Sequence, residues 1–187
     1  MDNKRIAEIV ASARSGSEQA YRQLVEAYGA NLMRYFYRNT GHQAEAEDLL
    51  QEVFLRLVRS LKNYKENERF EVWLYRLARN LLIDYWRKRK ILYIDDRLDE
   101  EGDSWLANVP AETTDKPHDM LELAEAGDEL QRALAGLPVE QRQTLLMRYF
   151  SEMSFEEVAQ AQNVPIGTVL ARAHRGLGKL RQWLKKE

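Results

Sequence analysis

The sequence predicts an all-α protein made of two small helical domains joined by an acidic linker. Three observations lead there. Apolar residues recur at spacings of three and four along most of the chain, and the alternation of a half-buried strand is missing. Charge is segregated. Residues 1–94 carry 17 Lys and Arg against 12 Asp and Glu, residues 95–129 carry 2 against 13, and residues 130–187 carry 9 against 5, so the net charge of −2 hides two basic blocks around an acidic one. The last block also holds two short helical patterns separated by a turn of about three residues.

Composition narrows the classes. With 187 residues, 44% hydrophobic and 31% charged, the chain suits a globular protein rich in amphipathic helices. It has no cysteine, which excludes disulfides, thiolate catalysis and Cys-ligated zinc and fits a reducing, cytoplasmic setting. The start "MDNKRIAEIV" carries charge where a secretion signal needs apolar residues, and no apolar run approaches the roughly 18 residues of a membrane span. His42, His118 and His174 are scattered, and no loop is built to cradle a phosphate. Asp84 and His174 lack partnered groups for catalysis. No catalytic residue, metal, cofactor or small-molecule substrate is expected, and the protein is read as a non-enzyme.

Taken in order, Ser17 or a neighbour starts a helix with Tyr21, Leu24, Val25, Tyr28, Leu32 and Tyr35 on its apolar face. The stretch "GHQAEAEDLLQEVFLRLVRSL" is a second helix, striped by Ala46, Leu49, Leu50, Val53, Leu57 and Leu61, with acids early and bases late as the helix dipole favours. "NYKENER" breaks the pattern as a loop. Residues 70–90 form a third helix, with Phe70, Trp73, Leu74, Leu77, Leu81 and Tyr85 as its buried stripe. Periodicity fades from Asp95; Pro110, Pro117 and the −11 charge mark residues 95–129 as a linker between domains 1–94 and 130–187. Regular structure resumes near residues 120–137. Pro138 suits the start of a helix, and Ser154 with Glu157 forms a capping box for the next.

The C-terminal block has the form of a DNA reader. Its middle helix buries Phe155, Val158 and Ala159; Gln162 and Asn163 make the turn, Asn163 in a left-handed conformation. Val164 packs inward, and Pro165 opens a last helix. There Val169, Ala173, Leu177, Leu180 and Leu184 form the inner stripe, and Thr168, Arg172, Arg175 and Lys179 a second, outward one. An isolated basic stripe is ordinarily a solvated face. The coincidence of turn spacing, proline start and basic stripe decides for DNA, with arginine able to grip guanine and lysine a phosphate. Gly167 admits a close backbone or phosphate at the helix start. Gly176 and Gly178 each cost helix stability and imply close packing or a loosened helix end.

The N-terminal block is mixed. Phe70, Trp73, Tyr75, Tyr85 and Trp86 interleave with Arg76, Arg79, Arg87, Lys88, Arg89 and Lys90, a composition that suits unpaired nucleic acid. Periodicity places Trp73 mostly in the core. The loop before this helix offers Asn63, Tyr64 and Arg69 to a flipped base.

"AEDLLQEVFLRL" (46–57), "FEVWLYRLARNLLIDYWRKR" (70–89) and residues 137–181 together resemble, in order and separation, the two domains of an extracytoplasmic-function RNA polymerase sigma factor of the sigma-70 family. The resemblance implies a promoter-specific initiation factor that binds core polymerase, with an anti-sigma factor as regulator. It assigns docking on the β′ coiled coil to Asp48, Leu49, Gln51, Glu52, Phe54 and Leu55. It assigns capture of the melted −10 strand to Asn63, Tyr64, Arg69, Trp73, Arg76, Arg79, Asn80, Asp84, Arg87 and Lys88. Reading of the −35 duplex, with contact to the β flap, falls to Ser154, Pro165, Gly167, Thr168, Arg172, His174, Arg175 and Lys179. The linker would thread towards the RNA exit path, its acids occupying a basic channel. This chain departs from the family pattern at Glu71, at Gln162 and Asn163, and at Leu170 and Ala171. The rival class is a dimeric helix-turn-helix regulator that binds a palindromic duplex without polymerase.

Overall fold

The computed structural model describes residues 3–65, 69–88 and 128–184, and every regular element among them is helical. Contacts divide the chain into two compact units, Met1–Ile91 and Leu92–Glu187. Residues 95–127 of the expected linker and residues 120–127 of the expected resumption lie outside the described residues; Asp128 and Glu129 already belong to a helix.

The first unit is α1 (Asn3–Arg14), α2 (Glu18–Thr40), α3 (Gln43–Ser60), a 3-10 turn (Leu61–Asn63) and α4 (Phe70–Lys88). α1 was not singled out by the sequence reading, although Ile6, Ile9, Val10 and Ala13, all buried, carry the helical spacing. Ser17 caps α2, its side-chain oxygen accepting from the Ala20 N–H at 3.3 Å. Gly41, left-handed at φ 76, ends the helix with its N–H donating to the Tyr37 carbonyl.

The buried face of α2 is Leu24, Tyr28, Leu32, Tyr35, Phe36 and Asn39. Val25, expected on it, is 45% exposed, because the face rotates onto residue 24 and its successors at 28 and 32. On α3 the expected stripe holds, with Leu50 only half-buried. On α4 burial is much wider than one stripe. Val72, Tyr75, Ala78, Leu82 and Trp86 join Phe70, Trp73, Leu74 and Leu81 inside, while Leu77 and Tyr85 are only half-buried. The cause is that α4 packs on α1, α2 and α3 together. Tyr75 and Trp86 are therefore core, not rings interleaved with surface cations.

The second unit is α5 (Asp128–Ala135), α6 (Val139–Leu145) continuing into a π turn (Leu146–Phe150), α7 (Phe155–Gln162) and α8 (Ile166–Leu184). Arg142 on α6 ties the α5–α6 connection, donating to the Leu137 carbonyl at 3.2 Å and the Ala135 carbonyl at 3.4 Å. Burial pulls its guanidinium down to about 10. Ser154 and Glu157 form the full capping box of α7, and Asn163 takes the left-handed conformation at φ 55. Phe155, expected inside, is half-buried beneath the Arg148 guanidinium, 5.1 Å from the ring centroid.

The two unexplained glycines separate. A Cβ on Gly176 would come within 3.0 Å of Leu145 Cδ1, and Leu145 is itself fully packed, whereas a Cβ on Gly178 would meet nothing within 4 Å. Gly178→Ala should therefore stabilise the protein by about 0.5–1 kcal/mol. Gly176→Ala should be neutral or destabilising, and thermal melts showing equal gains for both would contradict this packing. Burial also raises the Tyr28 and Tyr35 hydroxyls far above their ordinary value near 10. Their stabilising contribution is then complete below pH 10 and lost as pH rises beyond it. Urea midpoints should fall above that pH, and Tyr35→Phe should reduce the slope by up to about 1.4 kcal/mol per pH unit.

Candidate nucleic-acid interface

α3 divides its residues between core and solvent. Leu49, one of the expected docking residues, is buried beside Ala46 and Val53 and is not a surface group, since it lies on their helical stripe. Asp48 and Gln51 are exposed, Glu52 and Phe54 half-buried, and Leu55 is 50% exposed. Val58, one helical step beyond Leu55, is equally exposed and was missed. Its place at three residues from a solvent-facing leucine is the signal that could have found it.

The expected −10 residues split in two. Tyr64 and Trp73 are buried in an aromatic cluster with Phe70 and Tyr28. The centroids are 5.3 Å apart for Tyr64–Trp73, 5.6 Å for Tyr64–Phe70 and for Tyr28–Phe70, and 5.7 Å for Phe70–Trp73. Rings packed this way offer no open face for a base in this structure, and the burial of Trp73 is the one its periodicity predicts. Asn63, Arg69, Asn80, Arg87 and Lys88 are exposed; Arg76 and Arg79 are half-buried.

Two carboxylates sit among these cations. Arg69 pairs with Glu71 at 2.8 Å. Asp84 takes Arg56 of α3 at 3.5 Å and Arg87 at 3.7 Å, and Arg56 also binds Glu52 at 2.9 Å. These pairs are partly exposed, so each contributes about 0–1 kcal/mol. They set where the guanidinium groups lie more than how stable the unit is. The Tyr85 hydroxyl reaches across to the Glu45 carboxylate, a further tie between α3 and α4.

In the second unit the expected residues line α7 and α8. The Ser154 hydroxyl oxygen accepts from the Glu157 N–H at 3.1 Å, so its first task is the cap. Pro165 is exposed, and its carbonyl accepts from the N–H groups of Thr168 and Val169. No protein atom lies near the position a Gly167 Cβ would take, so the close approach expected there is not made by the protein itself. Thr168 and Arg175 are half-buried, and Arg175 Nε donates to the Ala171 carbonyl; His174 and Lys179 are exposed. Ile166, 42% exposed at the helix start, was not foreseen. Gln162 is not a solvent-facing turn residue but the buried end of α7, 2% exposed. Arg172, expected outward, turns back to it and donates from Nη1 to Gln162 Oε1 at 2.9 Å.

Two helical units, the second closing on a helix-turn-helix with exposed cations along its last helix, define a DNA-binding protein. Comparison with known proteins carries this further. Residues 24–91 match Sigma-70 region 2 and residues 127–180 match Sigma-70, region 4. The chain is 33% identical to the ECF RNA polymerase sigma factor SigW of Bacillus subtilis (strain 168), covering 99% of this chain and 97% of that one. It is 37% identical to the ECF RNA polymerase sigma factor SigE of Mycolicibacterium smegmatis, over 88% of this chain and 61% of that one. Among solved structures, CnrH in complex with the cytosolic domain of CnrY aligns with a TM-score of 0.71 at 22% identity, covering 100% of this chain and 99% of that one. RpoE in complex with the anti-sigma factor NepR from Bartonella quintana aligns at 0.65 and 20% identity, over 88% and 96%. The chain belongs to the ECF sigma factors of the sigma-70 family, which bind core RNA polymerase and promoter DNA and direct transcription initiation.

The capping box should be felt as stability before it is felt on DNA. Ser154→Ala is expected to cost about 1 kcal/mol by chemical denaturation. A variant as stable as the parent would show that the hydroxyl serves another purpose.

Proposed function

We propose that the first domain (1–94) docks on the β′ coiled coil through the solvent face of α3 and captures the melted −10 strand along α4. The second (130–187) reads the −35 duplex with α8 and touches the β flap, and the acidic segment 95–129 joins them near the RNA exit path. The observation that carries this reading is the match of the two sigma regions, in order, to the two separate units. The α3 face of Asp48, Gln51, Glu52, Phe54, Leu55 and Val58 supports it, because an exposed leucine and valine beside acids suit docking on another protein.

On the DNA side the exposed groups Asn63, Arg69, Asn80, Arg87 and Lys88 are suited to a strand, and His174 and Lys179 to a duplex. No group is assigned a chemical step: the factor acts by binding alone, in the cytoplasm. No described helix is long and apolar enough to cross a membrane. An anti-sigma protein is its regulator, as NepR is the partner of the similar RpoE.

Run-off transcription with purified core polymerase on a library of genomic promoters tests the reading. Initiation should require both proteins and select a common pair of elements. Binding to a palindromic duplex without polymerase, and no initiation with it, would replace this reading by the dimeric regulator. Leu55→Asp combined with Val58→Asp should reduce polymerase binding about tenfold or more while leaving helical content unchanged, as expected for loss of an apolar anchor.

A further inference from the structure

The buried end of α7 holds a polar chain whose direction the hydrogen atoms fix. Thr144 Oγ1 lies 2.7 Å from the Glu140 carbonyl and 3.3 Å from Gln162 Oε1; its one proton goes to the shorter contact, so it has none to give to the amide oxygen. It must accept from Gln162 Nε2, which lies 3.0 Å away, and the same nitrogen points at Met147 Sδ at 3.9 Å. Both hydrogens of the Gln162 amide are thereby directed into the domain, and the amide cannot flip without losing them. Its carbonyl oxygen is left facing α8, where Arg172 Nη1 donates to it at 2.9 Å. Thr144 and Gln162 are 0% and 2% exposed, so the chain lies out of reach of competing water.

This arrangement closes one fork of the Arg172 guanidinium and ties the other to α7. Bidentate recognition of guanine needs two adjacent N–H groups presented together, from the Nη1–Nη2 edge or the Nε–Nη2 edge. Nε is buried, which closes the second edge, and Nη1 gives one of its two hydrogens to Gln162, which holds the first edge against α7. Arg172 sits on the recognition helix at a position whose spacing with Thr168, Arg175 and Lys179 makes it look like a base reader, yet its guanidinium is held back by the bond to Gln162.

We infer that Gln162 is a positioning residue of promoter recognition: it locks Arg172 inward as a strut between α7 and α8, so that Arg172 does not read a base. The lock also withholds from the −35 element a guanine preference that the bare sequence of α8 would otherwise supply. This rests on α8 being the −35 reader.

The test is holoenzyme transcription from a promoter library randomised across the −35 element, with thermal melts of each full-length variant. Arg172→Ala should lower yield and melting temperature but leave the base preference at every position unchanged. Arg172→Met, which keeps the buried stem, serves if the alanine variant does not fold. Gln162→Glu, which can still hold Arg172, should keep the parent profile. Gln162→Leu should release the guanidinium and enrich guanine at one position by about fivefold or more.

A change of about fivefold at a single position in Arg172→Ala or Arg172→Met would overturn the inference, because that is the signature of a direct base contact. So would a folded Gln162→Leu variant with the parent profile. If Gln162→Leu does not fold, the Arg172 variants decide alone. Failure of the parent holoenzyme to select any −35 sequence would instead sink the assignment of α8.

Discussion

The packing of four aromatic rings, Tyr28 from α2, Tyr64 beyond the 3-10 turn, and Phe70 and Trp73 from α4, fixes the first unit around one point. Three separate pieces of chain meet there, with centroid spacings in the range where edge-to-face and tilted pairs are attractive. Once those rings are in place, α4 can only bury the wide face that it does. The cations at 76, 79, 87 and 88 follow from that orientation, as does the face that α3, packed on α4, leaves to solvent. The aromatics that suggest base stacking thus serve as the anvil on which the surface is set.

Electrostatics then acts on a surface already shaped. Arg56, Asp84, Arg87 and Glu52 form a short run of alternating charge from α3 to α4. Each contact is weak because water reaches it. On the proposed division of the two DNA elements between the units, neither needs a large affinity of its own, since attachment to polymerase raises the effective concentration of both. A factor built this way gains specificity from the joint requirement rather than from one tight contact.

Much of this was legible in the chain. The helical spacing of α2 to α4, the Ser154 and Glu157 capping box, the left-handed Asn163 and the order of the two sigma regions are all local or patterned signals. Most of what escaped has a common cause. Periodicity assigns one stripe per helix, and it fails where several elements cover a helix, as with Tyr75 and Trp86 on α4. Leu57 and Val58 on α3 show the same limit from the other side, as one step of rotation separates a core leucine from an exposed valine, whereas Leu49 lies on the predicted stripe and was given to the surface by the resemblance alone. Arg172 escaped for a different reason. Its spacing marks it as a surface cation, and only the buried acceptor ten residues earlier turns it inward.

The π turn at residues 146–150 bears on how this domain can diverge. Before it, Gln141, Arg142, Gln143, Thr144 and Leu145 are consecutively buried, and Leu146 and Met147 extend the run into the turn. A helix enclosed on every side has no neutral positions at which substitutions accumulate. α6 is therefore bound to its neighbours residue by residue, while the outer face of α8, on the proposed reading, answers to DNA. New promoter preferences can arise by drift on that outer face without a compensating change in the strut behind it, and such changes should come in small independent steps.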